Sequence, residues 1–531
     1  MKGLSFFLFL LLPVSLIGHT RTVEIRDQDS FDRLQSMIDS VRSLPSDSVS
    51  VVFRPGTYYF HENHLRWEDM DDPSFRLSIH GHGAVFIGAG DTLSNGQYSG
   101  SFNVLDGWFA EGAAPVSLAG PVRPCRFFPV PTRWGLRHFR IPVREADLSE
   151  SDAKDVYVIV TQWFQGVRYK VDRIRKGYLY YHATGLQPTP WYSELRFGRC
   201  LPRYQLLNHP SGDFAIIRDS IRIRESGGKL YRPSSSVFLS VRSSRIGHLT
   251  VDGCRFFGNH GKDTLIKLSG VSADSIRLSS CHFKGIKGVC IAVSRTPGFV
   301  CRDNVFAQGD LSALVSDPFS PGTVITGNFF KDFGRAFTNA PVVLCQGPDL
   351  YIADNRFEDF TYSAIGLGTH YLWDCGPVTS GVVERNEICH TPSFGRKPMR
   401  SLIDGGAVYV WTQNKDLVIR HNYIHDIFGY HGSRGIFCDD GVINVTVCDN
   451  LVLNIESSYP IDLRKYFKVN RKRGSFVQRG NVRNKVFGNI VDAKCRLFIR
   501  KEDPESVLKD NVRLKKGYDR SEVFARWNQQ R

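Results

Sequence analysis

The sequence predicts an all-β protein: a right-handed parallel β-helix (a solenoid) with an N-terminal helical cap and an inserted β-rich, sandwich-like domain. Three observations lead there. A short motif built on Asn or Cys recurs through the second half of the chain at steps of roughly two dozen residues or more. A stretch near the N-terminus has one apolar helical face, and a long segment between the two lacks the motif but alternates apolar with polar residues.

Taken in order, residues 1–20, MKGLSFFLFLLLPVSLIGHT, hold one lysine, an apolar run from Leu4 to Ile17, and small or polar residues beyond it. That is the pattern of an export signal. The run is short for a membrane span and Pro13 interrupts it. The expectation is an exported monomer, periplasmic or secreted, without membrane insertion once the signal is removed. In DSFDRLQSMIDSVRSLP (29–45), Phe31, Leu34, Met37, Ile38, Val41 and Leu44 share one helical face. A helix of this kind covers the first coil, which otherwise exposes an apolar core and sheet edges. VSVVFRPGTYYF (49–60) reads as strand, Pro-Gly turn and strand, so 21–95 is assigned to the cap and first coils. Residues 96–235 form the inserted β-rich domain, 236–500 the β-helix proper, and 501–531 a basic C-terminal tail or cap whose RLKKGYDR reads as solvated.

The repeat carries the fold. DGCRFFG, SSCHFKG, RDNVFAQ, TGNFFKD, ADNRFED, ERNEICH, RHNYIHD, CDNLVLN and FGNIVDA place Asn or Cys at 254, 281, 304, 328, 355, 386, 422, 450 and 489, at intervals of 27, 23, 24, 27, 31, 36, 28 and 39. These steps leave no room for a helix and fit one coil of three short strands. An Asn stacked at one corner of successive coils both donates to and accepts from its neighbours, satisfying polar groups in a buried turn. Cys at the first two positions fills the same volume.

Composition narrows the partners. A formal net charge of +15 suits an acidic partner, and export points to an acidic glycan rather than nucleic acid. The chain has twelve cysteines but no CxxC pair and no Cys/His set at zinc spacing. Cys254, Cys281, Cys290, Cys345, Cys438 and Cys448 sit in apolar runs, so free buried thiols are expected, with one or two disulfides elsewhere an open alternative.

Extra residues in a coil can only loop outward, so long intervals mark the functional face. These fall around 355–450, where DGGAVYVWTQNKDLVIRHNYIHDIFGYHGSRGIFCDDG (404–441) lies. Trp411 stands eleven residues before Asn422, and Asp439 eleven before Asn450. AVYVW (407–411) is therefore expected to stack on GIFCD (435–439), with AIGLG (364–368) in the coil before. Alternation sends Val408, Val410, Ile436 and Cys438 inward and Tyr409, Trp411, Phe437 and Asp439 outward. Trp411 beside Asp439 offers an aromatic plane and a carboxylate, as a sugar ring requires. His370, Tyr409, Gln413, His431, Arg434 and Arg464 complete the expected substrate contacts. On this stretch alone, Asp-Asp-Gly is as readily a simple turn.

GGAVYVW…VIRHNYIHDI…GSRGIFCDDG, with GDFAIIRDS…GGKLYRP (212–233), resembles the right-handed β-helix proteins of glycoside hydrolase family 141 and its relatives, within the pectate-lyase-like group. The resemblance implies a β-helix joined to an inserted β-domain and action on plant or host glycans. Its specific part is roughly 400–450, and its acids match at Asp404, Asp439 and Asp440. This chain has GIFCDDG and GGAVY where the family has GIYLDDG and GGGIY, and the loops that shape subsites differ freely.

Glycoside hydrolysis needs one acid to protonate the leaving oxygen and a second carboxylate as nucleophile or base. Asp404 and one of Asp439 and Asp440 are the candidates, with retention or inversion left open. A uronate lyase using Arg434 or Arg464 as base is the second reading, although no cluster of three acids on consecutive coils offers a calcium site. A non-catalytic glycan binder is the third. His421 and His425, four apart on a strand, stand about 13 Å from each other, and no third ligand stands out. Neither a metal nor a cofactor is expected, and the two histidines are read as packing at the ladder corner.

Overall fold

Three parallel strands recur from coil to coil, the first two running together in Leu239–Asp252 and Thr264–Ser279, and the sequence motif marks the corner between the second and the third. The computed structural model describes residues 20–26, 36, 39, 48–60 and 65–93, then little beyond strand residues between 96 and 233. From 237 onward it describes all but 260–263, 335–339, 369–378, 392–404, 412–413, 429–433, 440–441, 458, 464–482, 493–497, 500–505 and 530–531. One coil shows the plan. Gly406–Val410, Asn414–Arg420 and Tyr423–His425 follow one another, and each pairs in parallel with its counterpart one coil on: Arg434–Cys438, Thr446–Cys448 and Leu451–Leu453. The first and second strands of all coils merge into one 22-stranded sheet, and the third strands form a 12-stranded sheet.

The helix begins before the insertion. Thr20–Ile25, Ser48–Phe53 and Asp71–His80 stack in parallel, and Leu239–Asp252 pairs with both Leu65–Glu68 and Asp71–His80. The strands from Ala89 to Pro233 instead pair antiparallel in three separate sheets, one of them seven-stranded. The helical face expected at 29–45 lies outside the described residues, except that Ser36 and Asp39 are helical and exposed.

The corner explains the motif. The residue before each ladder position is left-handed: Gly253, Ser280, Asp303, Gly327, Asp354, Arg385, His421, Asp449, Gly488 and Asp510 have φ of 52° to 67°. Asp, Asn and Gly tolerate this region best, and at Gly327 an added Cβ would come within 2.4 Å of the Asp303 carboxylate. A second left-handed residue follows four positions after most ladder residues, as at Asp332, Asp359, Asp426 and Asn454, hence the Asp or Gly that closes the motif. The bend takes the backbone N–H of the ladder residue out of the strand pattern. The Asn Oδ1 of the next coil accepts it, at 3.0 Å for Asn304 onto Asn328 and 3.1 Å for Asn386 onto Asn422. The side-chain amides chain likewise from Asn304 through 328, 355, 386, 422, 450 and 489 to Asn511, at 2.9 to 3.0 Å.

Two residues past the ladder the side chain points inward. Phe256, Phe283, Phe306, Phe330 and Phe357 form a ring stack with successive centroids 4.9, 4.6, 4.9 and 4.5 Å apart, continued by the aliphatic Ile388, Ile424 and Val452. The described cysteines, Cys301 and Cys389 included, are free and buried, as expected, and burial pushes the Cys345 thiol up to about 12.

The C-terminal segment, expected as a basic tail or cap with RLKKGYDR solvated, is folded, and within it Arg513, Lys515, Lys516 and Asp519 are exposed. Val507–Lys509 and Val512–Arg513 add another coil, and the helix Arg520–Gln529 lies against the outer face of the third strands. There Phe524 and the buried Trp527 meet Tyr423, Leu451 and Leu453, and the Trp527 indole N–H donates to the Asp449 carbonyl at 2.8 Å. The helix has Val523, Phe524, Ala525 and Trp527 as its apolar residues, a short stripe beside the basic run before it, and of its arginines Arg526 is exposed while Arg520 turns to Asp426.

Asn422→Ala should be costly. It removes the acceptor of the Asn386 backbone N–H and the amide that donates to the carbonyls of Val383 and Arg420. A buried polar group so stranded costs about 1–3 kcal/mol, so urea unfolding should show a loss of at least about 2 kcal/mol. Asn511→Ala, in the last coil and half-buried, should cost clearly less; equal losses would refute the ladder's role.

A second prediction concerns pH. Burial pushes the Glu384 carboxyl up, but hydrogen bonds from Arg420, Tyr351 and Arg385 outweigh it and hold the group below its ordinary 4.5. A carboxyl titrating lower in the folded chain adds stability above the unfolded value, which is lost as pH falls through the folded one. Glu384→Gln should therefore lower stability at neutral pH and flatten its decline below about 4.5. An unchanged pH profile in this variant would show that the cluster adds nothing.

Candidate functional site

The outer face of the first strands carries the residues singled out at 404–441. Register places Gly366, Tyr409, Phe437 and Asp462 in one outward row, while Ile365, Val408, Ile436 and Ile461 point into the core. The parallel pattern continues past the strand ends, with Trp411 N–H donating to Leu367 O at 2.8 Å and Asp439 N–H to Val410 O at 2.9 Å. Gly368, Trp411 and Asp439 therefore stand level in adjacent coils, the alignment expected from counting back to the ladder. Gly368 is left-handed, and an added Cβ there would meet the Trp411 carbonyl at 2.6 Å.

Around Asp439 the structure is denser than a bare groove floor. The Tyr409 hydroxyl donates to Asp439 Oδ2 at 2.8 Å. The Tyr409 ring lies edge-on to Trp411 and to Phe437, each with centroids 5.0 Å away. Tyr409 is 4% exposed, Phe437 0% and Asp439 8%, whereas Trp411 keeps an intermediate exposure. Tyr409, expected as a sugar contact, is a buried support for the carboxylate. Arg434 differs in the same way. Its Nε donates to Asp462 Oδ2 at 2.6 Å and its guanidinium lies 3.8 Å from the centre of the Phe437 ring. Both partners of this ion pair are buried. Desolvating two charges is costly unless they meet, so the pair explains why Arg434 turns along the row. Asp462 is a residue that sequence reasoning missed; its signal was a lone acid in the apolar strand Ile461–Leu463. His370, Asp404, Gln413, His431, Asp440 and Arg464 lie outside the described residues.

A second polar cluster occupies the outer face of the third strands, in the same coils. Cys389 pairs in register with His425, and Glu387 with Tyr423. The His425 ring lies 3.3 Å from Glu387 Oε1 through Nε2 and 2.7 Å from Asp426 Oδ2 through Nδ1. Arg520, from the C-terminal helix, reaches Asp426 Oδ2 at 2.7 Å and the Tyr423 hydroxyl at 2.9 Å. Burial lowers the His425 imidazolium, but Asp426, Cys389 and Glu387 outweigh it and push it up to about 11. The same contacts hold the Asp426 carboxyl well below its usual range against the opposing effect of burial. His421 sits in the left-handed corner, not on the His425 strand. The third group that sequence reading did not find for His425 comes from the preceding coil, as Glu387 and Cys389.

No protein-family model and no curated protein matches the chain. Solved structures do match. One described as a glycoside hydrolase superposes with a TM-score of 0.58 at 11% identity, covering 93% of this chain and 96% of its own. It shows the fold, a parallel β-helix, over nearly the whole of both chains. The complex of XylC with xylose gives a TM-score of 0.38 at 8% identity over 94% of this chain and 86% of its own. The A-module of mannuronan C-5 epimerase AlgE6 from Azotobacter vinelandii gives 0.40 at 10% identity over 92% and 97%.

Breaking the Arg434–Asp462 pair separates stability from chemistry. Arg434→Met leaves Asp462 buried without the cation and should cost about 3–5 kcal/mol. Adding Asp462→Leu should recover most of that loss in urea unfolding. A double variant as unstable as the single would mean that the guanidinium stack on Phe437, not the ion pair, holds the row.

Proposed function

We propose that this chain is an exported glycoside hydrolase that cleaves glycosidic bonds in a complex plant or host glycan by two-carboxylate chemistry. The single observation that carries the reading is the carboxylate of Asp439 on the outer face at a strand end, oriented by the Tyr409 hydroxyl and level with Trp411. One acid of the Asp439–Asp440 pair works with Asp404. The protonated group gives its proton to the leaving oxygen as the glycosidic bond breaks, and the ionised one attacks the anomeric carbon or takes a proton from the attacking water. Trp411 supplies an apolar plane for the sugar C–H face, and the net charge of +15 favours an acidic glycan. The structural neighbour described as a glycoside hydrolase lends the fold and not the chemistry. In the competing lyase reading Arg434 is a candidate base, yet its pairing with buried Asp462 keeps that guanidinium charged and engaged.

The test is incubation with a panel of neutral and uronate-containing glycans, following new reducing ends and the ultraviolet absorbance of unsaturated uronates in parallel. Reducing ends without absorbance are expected. Asp404→Asn and the Asn variant of whichever of Asp439 and Asp440 is catalytic should each lower turnover at least about 10²-fold with little change in melting temperature. Trp411→Ala should mainly raise KM. An unsaturated product, or full activity in all three Asp variants, overturns the proposal.

A further inference from the structure

We propose that Glu387, Cys389 and His425 form a binding site for a divalent ion of the zinc class on the outer face of the third strands, beside the C-terminal helix. The carboxylate oxygens, thiol sulfur and imidazole nitrogens of these three residues include one ligand atom each, all within 4.8 Å of one another. Thiolate, imidazole and carboxylate together are a zinc donor set, harder ions preferring oxygen alone. Tetrahedral coordination at zinc–ligand lengths of about 2.0–2.3 Å separates neighbouring donors by about 3.3–3.8 Å. The His425 Nε2 to Glu387 Oε1 distance of 3.3 Å already matches that edge.

The sheet does the preorganising. Cys389 and His425 are register partners in adjacent coils, and Glu387 precedes Cys389 by two residues on the same face. Ile388 and Ile424 between them are locked in the core. Only Glu387, 36% exposed at its side chain, has room to swing, and it gives an ion its way in.

Asp426 supplies what a metal-bound imidazole needs behind it. Its Oδ2, 2.7 Å from Nδ1, is placed to accept the Nδ1–H, so an ion that displaces the second ring proton meets Nε2 on the side of Glu387. Asp426 is in turn held by Arg520, whose Nη2 also stands 2.6 Å from Nδ1, and by the Asn454 amide. Arg356, 3.6 Å from Glu387, is already paired with Glu358. Three protein donors leave the fourth position to water. The site joins two coils next to the contact that seats the C-terminal helix, and it is independent of the proposed hydrolase chemistry.

The test uses the full-length protein stripped with a chelator and titrated with cobalt(II), then zinc. One equivalent of cobalt should give the thiolate-to-cobalt charge-transfer band, zinc should abolish it, and zinc should raise the melting temperature. Cys389→Ser should remove the band. Glu387→Gln, at the surface and safe for folding should the Cys variant fail, should weaken cobalt binding at least about tenfold. Absence of the band in the unaltered protein overturns the site, as does a band of undiminished strength and affinity in Glu387→Gln; the cluster is then an ion-pair network with a proton on His425.

Discussion

One backbone N–H per coil governs this molecule. At the left-handed corner before each ladder position the chain turns too sharply for the strand pattern to accept that donor, and the corner is buried. Only a side-chain acceptor from the next coil reaches it. Asn alone meets the need while also presenting donors to the coil behind, because its amide has both a carbonyl and an NH₂ in one plane. From Asn304 to Asn511 every coil depends on the next for this bond. At Cys281 the chain still uses Asn304 as acceptor, but the thiol reaches back only through a long contact to the Val251 carbonyl at 3.8 Å, where an Asn amide would bond at about 3 Å. There the aromatic stack from Phe256 to Phe357 shares the work of holding adjacent coils in line.

A fixed corner fixes everything counted from it. Strands follow the ladder residue at a constant offset, so the inward and outward rows of successive coils superpose, and a side chain on one coil meets a predictable partner on the next. That is how Tyr409 reaches Asp439 and how Cys389 comes beside His425. A carboxylate placed this way stands at the end of a strand, its backbone N–H still bonded to the coil before it. Extra residues can enter only between strands, so variation in loop length does not disturb the rows.

This also sets what the sequence could reveal. The stacking of 407–411 on 435–439 and on 364–368 follows from equal distances to Asn422 and Asn450, and the side-chain facing follows from strand alternation. Buried free thiols were readable from the apolar runs around them. Asp462 was not reached because eleven residues before Asn489 is 478, whereas the first strand of that coil is Ile461–Leu463. In that coil the long connection falls between the first and second strands, not before the first, and counting backward fails. Glu387, Cys389 and His425 were within reach, since Cys389 and His425 each stand three past their Asn. Reading His421 and His425 as one strand ignored the corner between them. The burial of Tyr409 and Phe437 and the docking of the C-terminal helix depend on segments distant in sequence, which no local pattern encodes.

Regularity has a weakness that the polar pairs correct. A ladder of identical amides and a core of interchangeable Ile, Val and Leu bind coil to coil without distinguishing one coil from the next. A chain so built has near-degenerate ways of stacking, differing by a slip of one coil. Charged groups that match only one neighbour remove that degeneracy. Displaced by one coil, Asp462 would be buried without Arg434, and Asp426 would lose Arg520. Each such orphan costs more than a mismatched aliphatic contact, because an unpaired buried charge has neither water nor partner. The long coils between 355 and 492 are where these unique pairs gather, on the outer faces of both the first and the third strands. The ladder thus supplies cohesion and the ionic pairs supply identity, and the coils that most need a defined neighbour are those that carry the candidate carboxylates.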